Sequence, residues 1–310
     1  MGHNKDILWK GLLEWIFDDL LRFLYPDADE VFDLKASPGF MDKEFAALSP
    51  EPVCKITVRA VDKLVKVKLR KKPSYALVHL EVQGQTKKSD RRLFGERMFG
   101  YFNLILAYHR RPLASIAIFT GSDGHLMPTG HSYSFMDTRL PYRYKTIDIR
   151  DYSDEELAAS DNCFAWVLLV AKQALLSGKN REQKLLEKKW LIFQKLYENG
   201  LFEDCKLQAI LAFMEQYLPF KDEEITRTFN DRVDSLTSKK NTMDIFEQIA
   251  EMKKEKVRQE AKEEFVRSLL NNSEFSDRKI ALIVGVSRYS VTKIRKILRT
   301  KQRKKSHTTN

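Results

Sequence analysis

The sequence predicts an α/β protein that gives way to an all-helical region and ends in a basic helical segment. Three observations carry that expectation. Over roughly the first 120 positions the apolar residues change period from helical to alternating and back. From about Ser153 to Asp244 the period is helical throughout, and the excess positive charge is confined to the C-terminal end.

Ile7, Leu8, Leu12, Trp15, Ile16 and Leu20 recur at three- and four-residue spacing, which predicts a first helix of about twenty residues closed by Pro26. After a loop containing Pro38 and Gly39, the stretch Ile56 to Leu69 becomes rich in β-branched residues (Val58, Val61, Val65, Val67), mostly at even spacing. Tyr75 to Gln83 reads the same way, so two strands are expected around the turn Lys71, Lys72, Pro73, Ser74. An amphipathic helix over about Lys88 to Arg110 and a strand over Leu113 to Thr120 follow, with Gly121 opening the next turn. Cys163 to Leu176 is the most apolar helical stretch and is expected to pack on the first domain. Asp244 to Asn271 reads as a charged, solvated or dimerising helix, and the last ten residues as disordered. The expected divisions are 1–150, 151–250 and 251–310.

At 310 residues and 43% hydrophobic, the chain can bury a full core. It has no run of about eighteen apolar residues, and Met1 to Asp6 lacks the sections of a signal peptide. A cytoplasmic location and no membrane association are therefore expected. Cys54, Cys163 and Cys205 are odd in number and far apart, which fits reduced thiols better than a disulfide framework or a zinc site. Arg278 to Asn310 holds eleven Lys and Arg and no acid, equal to the entire net charge of +11. A field so concentrated attracts a polyanion, for which DNA, RNA or an anionic membrane would serve.

If the hairpin turn centres between Lys72 and Pro73, antiparallel counting pairs Val61 with Gly84, Val65 with Leu80, Val67 with Val78 and Leu69 with Ala76, an apolar face. The same count sets Asp62 opposite Gln83 and Leu64 opposite Glu81, so that Asp62, Glu81 and Gln83 emerge together on the other face. Neighbouring carboxylates repel unless a cation sits between them, and Mg²⁺ suits such oxygen donors. A solvated sheet face beside Lys63 and Lys66 is the other reading.

The stretches MDKEF (Met41 to Phe45), VDKLVKV (Val61 to Val67), YALVHLEVQG (Tyr75 to Gly84) and ERMFGY (Glu96 to Tyr101), in that order, resemble the Rpn family of recombination-promoting nucleases. That family belongs to the PD-(D/E)XK superfamily, and the resemblance spans roughly Asp6 to Thr120. It implies a restriction-endonuclease-like core of helix, mixed sheet, helix and strand, and metal-assisted phosphodiester hydrolysis. Asp62 and Glu81 match the metal ligands for Mg²⁺ or another divalent cation, and Gln83 stands in the E-x-Q form where the superfamily has lysine. An amide can orient a water but brings no positive charge. Glu14 is the candidate for an assisting carboxylate from the first helix, with an exposed helix Glu as the alternative. No register places Asp42 or Glu44 at the metal. His79 shares the strand face of Glu81 and reads as structural or catalytic, and Arg91, Arg92 and Arg97 read as phosphate contacts or as a solvated helix face.

In Arg278 to Leu298, Ala281, Gly285 and Val291 stand at helix-turn-helix spacing among Ile280, Val284, Val286 and Ile294. Ser276 and Ser287 occupy the two N-cap positions. With Val291, Ile294 and Leu298 turned inward, Arg288, Tyr289, Ser290, Thr292 and Lys293 are expected to face base edges, and Arg295, Lys296 and Arg299 phosphates. The segment resembles the DNA-binding end of resolvases and invertases.

Together these readings lead to the expectation of a Mg²⁺-dependent endonuclease acting on double-stranded DNA, linked to recombination or mobile elements. A catalytically idle nuclease fold acting as a DNA-binding regulator is the alternative, and a strand-transferring transposase a weaker third. Nicking both strands usually needs two active sites, which suggests a homodimer.

Overall fold

The computed structural model describes residues 2–41, 63–86, 88–199, 204–237, 262, 265–270, 275–292, 294–295 and 298. They fall into two compact units, Met1–Lys240 and Asn241–Asn310. The first holds both an α/β sheet and the helices that follow it.

The opening helix, α1 (Gly2–Leu24), buries Trp9, Leu12, Leu13, Ile16, Phe17, Leu20, Leu21 and Leu24 along one stripe. Each such side chain contributes about 1.5–3 kcal/mol when withdrawn from water. The chain continues through a single turn of helix, α2 (Ala28–Val31), and then β1 (Gly39–Phe40), β2 (Lys63–Lys68) and β3 (Tyr75–Gln83). Helix α3 (Lys88–His109) crosses to β4 (Leu113–Phe119). Strands β1, β2 and β3 are antiparallel, whereas β3, β4 and the later β7 (Lys145–Asp148) are parallel, giving a mixed sheet in the order β1-β2-β3-β4-β7.

Side-chain alternation divides this sheet into two faces. Val65, Val67, Val78, Leu80, Val82, Ile116, Ile118 and Ile147 share one core with α1. On the other face Leu64 and Leu77 meet Tyr101 and Ile105 of α3, while Ala117 and Phe119 meet its Phe94 and Met98. The register is Lys63 with Leu80, Leu64 with His79, Val65 with Val78 and Val67 with Ala76. This corrects the counted register by two residues. Leu69 bridges to Phe32, and its N–H reaches the Ser74 carbonyl, so the turn centres one residue earlier than expected. A shift of two leaves every side chain on its expected face.

Neither β1 nor β7 was expected from the sequence, nor were β5 (Gly130–Phe135) and β6 (Thr138–Arg143), which form a separate antiparallel hairpin packed on α3. Beyond it come α4 (Asp154–Ala158), α5 (Cys163–Gln173), α6 (Arg181–Asn199), α7 (Asp204–Tyr217) and α8 (Glu223–Thr237). Helix α5 is buried almost all round, packing against α1, α6 and α7 as its continuous apolar run requires. Lys206 of α7 joins Asp18 and Asp19 of α1 at 3.0 and 2.6 Å. These helices therefore extend the core of the sheet. Among the described residues no helix is long and apolar enough to cross a membrane.

In the second unit, α9 (Asp277–Val284) packs with helical residues 265–270 and 288–292. Val266, Ile280, Ala281, Val284, Val291 and Ile294 form its core. Ser276 caps α9 by accepting from the Lys279 N–H, and Gly285 ends it at φ 66°, a left-handed conformation that glycine adopts without cost. The Val286 N–H closes the turn onto the Ala281 carbonyl. The Ser287 hydroxyl then accepts from the Ser290 N–H at the start of the next helical segment.

Candidate active site

Glu81 lies on β3, the middle strand of the sheet, where strand alternation turns its side chain toward α3. It is buried, with only 5% of the side chain exposed. Arg97, sixteen residues later on α3, directs Nη2 at Glu81 Oε1 (2.7 Å) and at Gln83 Oε1 (2.9 Å). Two side-chain oxygens from one strand face thus converge on a single nitrogen. The ring of Phe94, one turn earlier on α3, supports the guanidinium at 4.9 Å. Glu81 Oε2 and Arg97 Nε are buried without a hydrogen-bond partner among the described residues. An orphaned carboxylate oxygen costs roughly 1–3 kcal/mol and points to a ligand that completes the shell.

His79 shares this face and is wholly buried, edge-on to Tyr101 at 5.4 Å. Desolvation, with the nearby Arg97 charge as a lesser cause, pushes its pKa down to about 3. The imidazole is therefore neutral at neutral pH. The segment ERMFGY thus sets Arg97 on Glu81, Met98 in the core and Tyr101 on His79.

The carboxyl ends of the parallel strands carry further paired carboxylates. In register, Gln83, Phe119 and Asp148 form one row across β3, β4 and β7. Asp148 Oδ1 accepts from Arg150 Nε at 3.0 Å, and Asp123 Oδ2 accepts from Arg91 Nε at 2.8 Å. A side chain at Gly124 would meet Asp148 Oδ2 at 2.5 Å, so that glycine lets the loop close over the carboxylate.

Several sequence expectations fall differently. Glu14 is not with Glu81. It accepts from Lys63 Nζ at 3.0 Å on the α1 side of the sheet, because the stripe that packs α1 onto the sheet turns Glu14 toward the Lys63 face. Lys63 is fully buried there, not on a solvated face. Arg91 is engaged by Asp123 and the Thr86 carbonyl, which ties the start of α3 to the loop after β4. Asp62, Asp42 and Glu44, with the counted pairings of Asp62 and Val61, lie outside the described residues. Arg92 is placed on α3 without a described side chain.

In the second unit, Arg288 and Tyr289 are exposed, Tyr289 at 77%. The Ser290 hydroxyl pairs with Ser287, and that of Thr292 donates to Asp277 Oδ2 at 2.8 Å. Arg295 donates to Asp277 Oδ1 and to the Phe275 carbonyl. The guanidinium is engaged within the unit, because Asp277 opens α9 directly beside it. Lys293, Lys296 and Arg299 lie outside the described residues.

Oxygen donors are what a divalent cation such as Mg²⁺ takes. Glu81, with an unshared buried oxygen, and Gln83, with a convergent carbonyl, fit as part of such a site. Among the described residues no group of three His, Cys, Asp or Glu side chains converges. Compared with protein-family models, curated proteins and solved structures, the chain matches none.

Proposed function

We propose that the chain is a metal-dependent DNA endonuclease of PD-(D/E)XK type that hydrolyses phosphodiester bonds and is held on double-stranded DNA by a C-terminal helix-turn-helix. The observation that carries the reading is buried Glu81, its Oε2 unshared, at the join between the antiparallel and parallel parts of a mixed sheet. A divalent cation, when bound, would polarise a phosphoryl oxygen and acidify a water. Glu81 would hold that cation, with Asp62 as the second ligand implied by the family resemblance. Gln83 would orient the water through its amide. A water oxygen to phosphorus bond would form as that water gives up a proton, a phosphorus to ester-oxygen bond would break, and the leaving oxygen would take up a proton.

The Gly285 turn, the two serine caps and the exposed Arg288 and Tyr289 support a helix-turn-helix that presents the second helix to a groove. We keep a second reading, a catalytically idle nuclease fold serving as a DNA-binding regulator, because Arg97 already neutralises Glu81.

Supercoiled plasmid incubated with the protein in Mg²⁺, Mn²⁺ or EDTA, with Glu81→Ala alongside, separates the two. Metal-dependent nicking by the parent and not by Glu81→Ala supports the enzyme. Tight DNA binding without nicking supports the regulator.

A further inference from the structure

We propose that Arg97 supplies, from α3, the positive charge that lysine brings at position 83 in other nucleases of this type, and that Gln83 is an amide because Arg97 already stands there. The part of this concerning cleavage rests on the nuclease reading above; the part concerning charge does not.

Through one nitrogen the guanidinium contacts Glu81 Oε1 at 2.7 Å and Gln83 Oε1 at 2.9 Å, so its charge stands between the carboxylate and the side chain at position 83. A second cation at position 83 would meet that guanidinium at hydrogen-bond distance in a site with one described carboxylate, where like charges are poorly screened. An amide accepts from Arg97 through its oxygen and keeps an NH₂ group to donate. Nη2 makes the contacts described here, so the fork of N–H donors on Arg97 retains capacity for a phosphate oxygen, the ligand whose geometry a guanidinium matches. The Phe94 ring lies 4.9 Å from the guanidinium carbon and supports the fork. Arg97 is then a catalytic residue toward phosphate and a positioning residue toward Glu81.

The test is a double-mutant cycle in the full chain: Gln83→Lys, Arg97→Gln and the two together, with Arg97→Lys as the charge-conserving control. It is read first by thermal melting in EDTA, where neither metal nor cleavage enters. Each single change is expected to lower the melting temperature, Arg97→Gln by leaving Glu81 without its counter-charge and Gln83→Lys by crowding two cations. The double variant is expected to melt above both singles, and Arg97→Lys close to the parent. Plasmid nicking is expected to fall at least about 100-fold in Arg97→Gln, the range seen when a donor to developing negative charge is removed, and to recover at least about tenfold in the double variant. A double variant that melts below both singles would show that positions 83 and 97 do not share one charge and would overturn the proposal. If the parent chain does not nick at all, the nuclease reading fails while the melting cycle still decides the charge relationship. If it nicks and Arg97→Gln nicks equally well, the catalytic role of Arg97 is overturned while the nuclease reading stands.

Discussion

Lys63 Nζ lies 3.0 Å from Glu14 Oε1, joining a wholly buried lysine of β2 to the first helix across the face of the sheet remote from Glu81. The ammonium also sits 4.5 Å from the centre of the Phe40 ring. Removing one partner of a buried pair is far more costly than replacing both by apolar groups. Because Glu14 keeps 27% of its side chain exposed, Glu14→Ala is expected to cost about 2 kcal/mol, below the range for fully buried pairs. In a unit of this size that is a drop of roughly 4–8 °C in Tm. The pair Glu14→Leu/Lys63→Met should melt closer to the parent than Glu14→Ala does. Nicking per folded molecule should survive Glu14→Ala, and its loss would return Glu14 to the active site.

Buried His79 sets a pH dependence. Its pKa is 6.5 ordinarily and about 3 in the fold, so between those values the unfolded chain binds a proton that the folded chain refuses. Stability must then fall as pH drops through that window, by at most about 1.4 kcal/mol per pH unit from this group. His79→Phe should flatten this part of the slope in urea midpoints measured between about pH 4 and pH 7. An unchanged slope would mean that other groups dominate the acid limb.

Two glycines of α3 should respond in opposite directions to alanine. At Gly95 a Cβ would come within 2.3 Å of the Gly130 carbonyl oxygen, which belongs to the backbone of the hairpin, whereas at Gly100 it meets nothing within 4 Å. Gly95→Ala is expected to destabilise by about 1–3 kcal/mol through forced separation of helix and hairpin. Gly100→Ala should stabilise by about 0.5–1 kcal/mol, the usual difference between glycine and alanine inside a helix. Thermal melts of the two variants check both signs.

In the second unit, exposed and internally engaged arginines should separate in DNA-binding assays. Arg288→Ala is expected to weaken binding and, because it removes an exposed base-facing positive charge, to reduce the salt slope by at most about one. Arg295→Ala should instead loosen the packing around Asp277 and leave the salt slope nearly unchanged at temperatures where the unit stays folded. A slope that falls equally for both would show that Arg295 leaves Asp277 when DNA binds.

Elements set by local pattern were legible in the sequence. The stripe of α1, the alternation of β3, the length of α3, and the Ser276 and Gly285 signals of α9 each follow from residues within a few positions of one another. The β5/β6 hairpin was missed although Ser132, Tyr133, Ser134 and Phe135 alternate, because Pro141 argues against a strand. In a two-stranded ribbon that objection weakens, since each strand has an open edge.

The sequence by itself determined the order of the main helices and of strands β2, β3 and β4, the concentration of charge at the C-terminal end and the strand that carries Glu81 and Gln83, because composition and period are properties of neighbouring residues. Which arginine reaches Glu81, which face receives Glu14 and which cations are spent on internal carboxylates were decided by tertiary structure. Sixteen residues separate Glu81 from Arg97 and forty-nine separate Glu14 from Lys63. Contacts over such spans depend on the crossover of α3 and on the face that α1 buries, and packing the whole core fixes both.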